Sequence, residues 1–210
     1  MKSIAKLLLG CAVVAAIALP ASAQIGLSLS PTSYSVGVGG TETYNLNISG
    51  LFGSADYTGP ALGAFNVTLD YNASIAFATS VTFGNSLGTD LLNVSGNAIT
   101  TSDLTTPGQI FLLEGSGDSV AALESQQSKS FTIATITLQG VAPGTTPLTF
   151  DLTGTSLSDA NSNTLVLNTT TNASLTVIPE PSVTASVFGF AAMGFCMLRR
   201  RFSRVASSIS

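Results

Sequence analysis

Apolar and polar residues alternate along the central part of this chain. In Tyr44–Ile48, Phe65–Tyr71 and Leu148–Leu152 every second residue is apolar, and the residues between them are Asn, Thr or Asp. A period of two is typical of β-strands that bury one face and expose the other to water. The pattern therefore predicts strands rather than amphipathic helices.

Two further features refine this prediction. The apolar phase changes between Ile133 and Ile136, which predicts a β-bulge near Ala134-Thr135. Ser119–Ser128 is the segment that best fits a short helix. Short strands recur about every ten residues and are separated by turns rich in Gly, Asn and Ser. The sequence thus predicts an all-β fold, an antiparallel β-sandwich or jelly roll.

The alternation also predicts the core of this sandwich. Phe65, Val67 and Leu69 fall on one side of their strand, which is expected to be an inner face. The two sheets of a sandwich bury such residues from both sides. We expect the opposing residues to be Phe131, Ile133, Leu148 and Phe150.

The first residues have the composition of an export signal. Two lysines precede the apolar run Leu7–Leu19, and small residues follow at Ala21 and Ala23. This order predicts a signal peptide over residues 1–23, with cleavage after Ala23.

Both cysteines lie in the terminal segments, at Cys11 and Cys196. Leu8–Cys11 looks like a lipobox, so a lipoprotein anchored through Cys11 is a minor alternative. The apolar run lies mostly after that cysteine, which favours the signal peptide. Residues 24–178 contain no cysteine, so this body has no disulfide, thiolate metal site or cysteine nucleophile.

Charge and residue types narrow the function of the body. Ten acids and one base, Lys129, give residues 24–178 a net charge of about −9, against −4 for the whole chain. Nucleic-acid binding requires clustered Lys and Arg, so we expect no nucleic-acid partner. The chain contains no His, which excludes a Ser-His-Asp triad. The acids are scattered, and we expect no catalytic residues.

One segment has the oxygen-donor spacing of a calcium loop. Asp159, Asn161 and Asn163 follow a D-x-N-x-N pattern, but Thr164 and Thr170 stand where an EF-hand has Gly and Glu. Asp and Asn also favour tight turns. We predict a hairpin turn and no cofactor, with calcium bound by these three residues as the weaker alternative.

Sugar-binding surfaces usually present exposed aromatic rings, above all Trp. The chain has no Trp and four tyrosines, of which Tyr44 and Tyr71 fall on predicted buried faces. Tyr34 and Tyr57, in predicted turns, are therefore the candidate sugar contacts.

The last 32 residues combine three features in a fixed order. These are Pro179-Glu180-Pro181, the apolar run 182–198 and Arg199-Arg200-Arg201. The run has 17 residues, the lower limit for a membrane-spanning helix. The arginines favour a cytoplasmic end. A simple tail anchor with a basic stop would have the last two features alone.

This segment resembles the PEP-CTERM sorting signal of Gram-negative bacteria, with all three parts present in order over residues 179–210. The resemblance implies recognition and cleavage by an exosortase-type membrane protease. It also implies a precursor held transiently in the inner membrane through residues 182–198. The expected destination is the cell surface or the extracellular space.

The order of motifs in the body is similar to the cohesin-like domain of many exported PEP-CTERM proteins. The resemblance covers Leu27 to Val177. It rests on Ser28–Pro31, Val36–Gly40, Leu62–Asn72, Val81–Gly84 and Leu157–Asn163. It implies a jelly roll of about nine strands, related to cohesins and to certain carbohydrate-binding modules. Cohesins bind dockerins through one sheet face, but no residue here matches that face individually, so the resemblance implies the fold and not the partner.

The sequence therefore predicts a domain of residues 24–178 between two targeting segments. We expect a non-catalytic adhesion or matrix module, associated with exopolysaccharide or biofilm, that contacts a matrix protein or polysaccharide. A carbohydrate-binding module of the extracellular matrix is the alternative.

Overall fold

The computed structural model describes residues 24–51, 60–84 and 98–179, together with residues 188, 189, 193 and 195. The predicted signal peptide and most of the predicted sorting segment lie outside these residues. The described elements are β1 (Ile25–Ser30), β2 (Ser33–Gly37), β3 (Thr41–Ser49), β4 (Leu62–Asp70), β5 (Ala76–Phe83), β6 (Ile99–Asp103), β7 (Gln109–Gly115), α1 (Val120–Gln126), β8 (Ser130–Gly140), β9 (Gly144–Asp159), β10 (Thr164–Leu165), β11 (Leu167–Thr171) and β12 (Ala173–Ile178).

These strands form two sheets. The five-stranded sheet has the order β11-β1-β3-β8-β5. The seven-stranded sheet has the order β2-β12-β9-β4-β7-β6, and β10 pairs with β9. The prediction of an all-β sandwich is confirmed, although the described residues form twelve strands rather than about nine.

The expectation of a purely antiparallel arrangement is wrong near the chain ends. β1 pairs with β11 in parallel, and β2 pairs with β12 in parallel. The N-terminal run is split by Pro31 into two strands, one in each sheet. Each of these strands lies beside one of the last two strands of the body, so both sheets join the two ends of the domain.

The predicted bulge and helix are both present. Leu46 lies opposite Ala134 and Asn47 lies opposite Thr132, so Ile133 is an extra residue in β8. The bulge restores the inward direction of the apolar side chains on both sides of it. Helix α1 lies within the predicted segment, and the Ser119 hydroxyl caps it by accepting from the Ala122 amide at 3.3 Å.

A buried glutamine fixes the end of α1 against β4. The Gln127 side chain donates to the Leu62 carbonyl at 2.7 Å and accepts from the Leu62 amide at 2.7 Å. Only 1% of Gln127 is exposed. Both backbone groups at the start of β4 are thereby satisfied without water.

The predicted inner face of β4 is confirmed, since Phe65, Val67 and Leu69 are all buried. Ile133 of the five-stranded sheet belongs to the same core. The prediction for Leu148 and Phe150 is wrong in one respect. They lie on β9, which pairs directly with β4, so they are in the same sheet as Phe65 and not opposite it.

Tyr44 ties the two sheets together. Its ring is fully buried on β3, and its hydroxyl donates to the Ser174 carbonyl on β12 at 3.0 Å. Burial, with a smaller contribution from the charge of Glu42, raises the pKa of Tyr44 to about 12. The phenol is therefore neutral over the physiological range.

In the part of the chain that the structure describes, no helix is long and apolar enough to cross a membrane.

Candidate functional site

The outer face of the seven-stranded sheet combines acidic and apolar side chains. Because Phe65, Val67 and Leu69 point inward, the alternate residues of β4 point outward. Across the sheet, Asn66 lies opposite Leu113 of β7. We call the outward side of β9, β4, β7 and β6 the acidic face. Its outward and bulge residues include Asp70, Asp103, Asp151, Ile99, Phe111, Leu113 and Leu152.

A large bulge in β9 makes a ridge on this face. Thr68 lies opposite Asp151 whereas Asn66 lies opposite Ser156, so residues 152–155 are inserted between two adjacent outward positions of β4. The Thr68 hydroxyl donates to the Gly154 carbonyl at 3.3 Å. Thr68 is consequently only 6% exposed although it points outward.

The ridge depends on a glycine and an aspartate. A Cβ on Gly154 would lie 2.7 Å from the Thr68 hydroxyl, so only glycine allows this close approach. The Asp151 carboxylate accepts from the Thr153 amide at 2.9 Å and from the Thr153 hydroxyl at 2.7 Å. The ridge holds Leu152 with 61% of its surface exposed.

A pocket of about 370 Å³ lies beside the ridge. Three strands and the start of β10 form its walls, with the lining residues Ala64–Asn66, Leu113–Gly115, Ser156–Ser158 and Thr164. The Asn66 Oδ1 atom is buried and accepts no hydrogen bond. A buried acceptor in this state costs free energy unless a partner supplies a donor. The Asn66 oxygen is enclosed by the protein, so the surface that the pocket offers to a partner is mainly its apolar wall.

Asp151 and Asp103 of this face are ionised near neutral pH. Hydrogen bonds from the side chain and then the amide of Thr153 lower the pKa of Asp151 below its ordinary value. The same two groups of Thr105 lower the pKa of Asp103. The Asp103 carboxylate accepts from the Thr105 hydroxyl at 2.7 Å. A partner on this face meets fixed negative charge next to exposed apolar groups.

The segment Asp159–Asn163 forms the predicted hairpin turn, between β9 and the antiparallel β10. Asp159 Oδ1 accepts from the amides of Asn161 and Asn163 at 2.8 and 2.7 Å. Asp159 Oδ2 accepts from the Asn163 side chain at 2.9 Å. Ser162 completes the turn with a φ of 66°. Both carboxylate oxygens therefore accept hydrogen bonds that close the turn.

The calcium alternative has no further support in the described residues. There, no three His, Cys, Asp or Glu side chains are grouped so that they could hold a metal ion. Although partial burial acts to raise it, the pKa of Asp159 is lowered by hydrogen bonds from Asn163 and Asn161. The prediction of no tight calcium stays a prediction, with a test given below.

The structure describes one of the two candidate sugar contacts. Tyr34 is 47% exposed on β2, an edge strand of the seven-stranded sheet. Tyr57 lies outside the described residues. Among the described strands, Phe77 on β5 is the other exposed aromatic residue, and it belongs to the opposite sheet. These two rings do not form a row.

The targeting residues are largely outside the described part. Pro179 is the last residue of the described body and is exposed. The remaining residues of this kind lie outside it, namely Cys11, Ala21, Ala23, Glu180, Pro181, Arg199, Arg200 and Arg201. Their proposed roles stay predictions.

Sequence reasoning missed the pocket and the ridge. Leu113 belongs to a run of four apolar residues, which signals that the outward side of β7 is also covered or used. Nothing in the sequence signals that β9 inserts residues 152–155, since Asp151-Leu152-Thr153-Gly154 continues the alternating pattern.

Comparison with known proteins bears on the fold. No family model matches the chain, and no curated protein matches it. Solved cohesin structures do match, at low sequence identity. A cohesin of Clostridium acetobutylicum, CaCohA2, has a TM-score of 0.55 at 19% identity, over 74% of this chain and 92% of that one.

Two further cohesins were solved as complexes. The sixth cohesin of Acetivibrio cellulolyticus scaffoldin B, with the Cel5 dockerin, has a TM-score of 0.56 at 14% identity, over 74% of this chain and 99% of that one. The OlpC cohesin of Clostridium thermocellum, in a type I cohesin–dockerin complex, has a TM-score of 0.56 at 13% identity, over 75% of this chain and 95% of that one. The body therefore has a cohesin-like fold.

Proposed function

We propose that the chain is an exported bacterial surface protein whose body is a non-catalytic binding module. The body docks a protein partner on the acidic face, next to the ridge of residues 152–155. The observation that carries this proposal is the pocket lined by Asn66 and Leu113, with exposed apolar residues around it. Such groups on an otherwise polar surface mark interaction sites.

The partner's chemistry follows from the face. The apolar anchors available to a partner are Ile99, which is 72% exposed, and Leu152. Asp70, Asp103 and Asp151 add negative charge around them. A matching partner presents one or two apolar side chains flanked by Lys or Arg. The cohesins in the complexes above bind dockerins, which are proteins, and this supports a protein partner here.

A polysaccharide partner is the weaker candidate. Tyr34 and Phe77, the exposed rings of the described strands, lie on different sheets. Catalysis on a sugar is also disfavoured. Glu114 is the one acidic residue of the pocket lining, and it lies opposite Phe65 on the inward side of β7, whereas glycoside hydrolysis generally uses two carboxylates.

Site-specific cross-linking tests the docking face. A photo-reactive residue in place of Ile99 should give adducts with one protein on the surface of producing cells. The same residue in place of Thr43, exposed on the outer face of the other sheet, is the matched control. Equal labelling from both positions, or labelling of polysaccharide alone, would contradict the proposal.

We infer the route to the surface from the chain ends. Residues 1–23 act as a signal peptide, and residues 179–210 act as a sorting signal for an exosortase-type protease. Residues 182–198 hold the precursor in the inner membrane. The described residues of this run, at 188, 189, 193 and 195, are helical, and they expose Phe188, Met193 and Phe195. Exposed apolar residues on a helix support a membrane environment.

Intact mass of the released protein tests this route. We expect a species that begins at Gln24 and ends near Pro181. A surface form that still carries Val183–Ser210 would show that the segment is a simple anchor. A lipid-modified N-terminus at Cys11 would establish the lipoprotein alternative instead.

A further inference from the structure

Strand β5 forms one edge of the five-stranded sheet. It pairs with β8, and no other strand of the described chain pairs with it. An edge strand presents unpaired backbone N–H and C=O groups to which another strand can add. Among the described elements, β5 is thus a place where this sheet can be extended.

The strand lacks two of the features that usually prevent such pairing, charged residues and proline, although it contains a β-bulge. Its eight residues, Ala76–Phe83, include no charge and no proline. Across the five strands of this sheet, Glu42 is the one charged residue. The body is strongly acidic, so two copies repel each other over most surfaces. Along β5 neither copy carries a charge, so this edge adds no such repulsion.

The bulge in β5 gives the strand a symmetric pattern. Ala78 lies opposite Leu138 and Ser80 lies opposite Thr137, so Thr79 is an extra residue. As a result, four residues point toward the core, Ala76, Ala78, Val81 and Phe83. The other four point outward, Phe77, Thr79, Ser80 and Thr82. This order of inward and outward residues is the same in both chain directions.

We propose that two copies of this chain pair in antiparallel fashion through β5, about a two-fold axis between Thr79 and Ser80. Ala78 of each copy then lies opposite Val81 of the other, both toward the core. Phe77 lies opposite Thr82, both outward. In a strand without a bulge, a two-fold axis between two successive residues would place inward residues of one copy opposite outward residues of the other. With the bulge, the two five-stranded sheets become one continuous sheet of ten strands.

Sedimentation of the exported chain tests the pairing. We expect a reversible dimer that Ser80→Lys weakens by about tenfold or more, because the two-fold axis brings the new charges close together. Thr43→Lys, which adds the same charge two strands away, should leave the dimer unchanged. A monomer at all concentrations, or equal loss in both variants, would overturn the proposal.

Disulfide trapping keeps the test independent of the effect of a lysine on folding. In a background with Cys11→Ser and Cys196→Ser the chain has no cysteine. Copies with Thr79→Cys mixed with copies with Ser80→Cys should cross-link, because opposite residues of an antiparallel pair lie within disulfide reach. Copies with Thr43→Cys alone should not. Cross-linking through Thr43→Cys instead would show that the copies meet face to face.

Discussion

The outer faces of the two sheets are built from the same alternating pattern but offer different chemistry. On the five-stranded sheet, outward residues form rows of hydroxyl and amide groups across adjacent strands. One such row contains Ser30, Asn45, Thr135 and Thr82. The acidic face instead carries carboxylates beside Ile99, Leu113 and Leu152.

The two faces also differ in how far their polar groups are satisfied. On the five-stranded sheet the hydroxyls of Thr43 and Thr137 lie 3.2 Å apart, and the Thr132 hydroxyl donates to Asn47 at 2.7 Å. On the acidic face, Asn66 Oδ1 accepts no hydrogen bond. A face whose groups already bond one another gains little from a partner. Affinity is therefore expected on the acidic face, where Ile99 and Leu152 leave apolar surface exposed.

The largest effect on stability is expected in the core between the two sheets, against which both sheets pack. Phe65→Ala removes a buried ring that packs 6.2 Å from the Phe83 ring, and it should lower the free energy of unfolding by about 3–5 kcal/mol. Phe150→Ala should cost about half as much, because Phe150 is only partly buried. Urea unfolding measures both. Equal costs would mean that Phe150 is as important to the core as Phe65.

The next largest effect on stability is expected from Tyr44, whose hydroxyl joins the two sheets by a hydrogen bond. This effect depends on pH. The pKa of Tyr44 is about 12 in the folded protein and about 10 when unfolded. The unfolded chain therefore loses the proton first as pH rises. Stability should fall from pH 10 to 12 by about 3 kcal/mol. Tyr44→Phe should remove this dependence in urea unfolding at each pH. A variant with the same pH profile as the parent chain would contradict the assignment.

A smaller effect is expected at the hairpin turn beside the acidic face. Asp159→Ala removes three hydrogen bonds of an exposed turn and should cost about 1 kcal/mol. The pKa of Asp159 is lowered, so its contribution is present above the ordinary carboxyl pKa and is lost as pH falls through the lowered value.

Calcium should leave the parent chain unaffected at this turn. We expect no binding heat at micromolar calcium and no change in melting temperature with chelator. Specific binding to the native state would raise stability. A calcium-dependent rise in melting temperature that Asp159→Ala abolishes would establish the alternative.

The smallest effect is expected on the hydroxyl rows. Thr43→Val keeps the shape and β-propensity of the residue and removes one exposed hydroxyl contact, so stability should change by less than about 0.5 kcal/mol. Thermal unfolding measures this change. A loss above 1 kcal/mol would mean that the rows are cooperative, and the contrast between the two faces would then need revision.

The sequence predicts what depends on local periodicity. The inner residues of β4, the bulge near Ala134 and the helix that begins after Ser119 all follow from side-chain spacing and capping. Strand partners do not. Phe150 has the pattern of an inner residue, but periodicity cannot tell which sheet contains β9.

The candidate site was still less accessible to sequence reasoning. Its pocket is formed by residues from three strands that are far apart in the chain. Its ridge arises because β9 inserts residues 152–155 against β4. That insertion depends on register between distant strands, which no local pattern specifies.

The parallel pairs at the chain ends also determine how the domain carries load. Since β1 runs parallel to β11 and β2 runs parallel to β12, a pull on the two ends of the body loads both pairs lengthwise. The bonds between them are loaded together in shear rather than opened one after another. A body stretched between its two ends is therefore expected to unfold slowly under force.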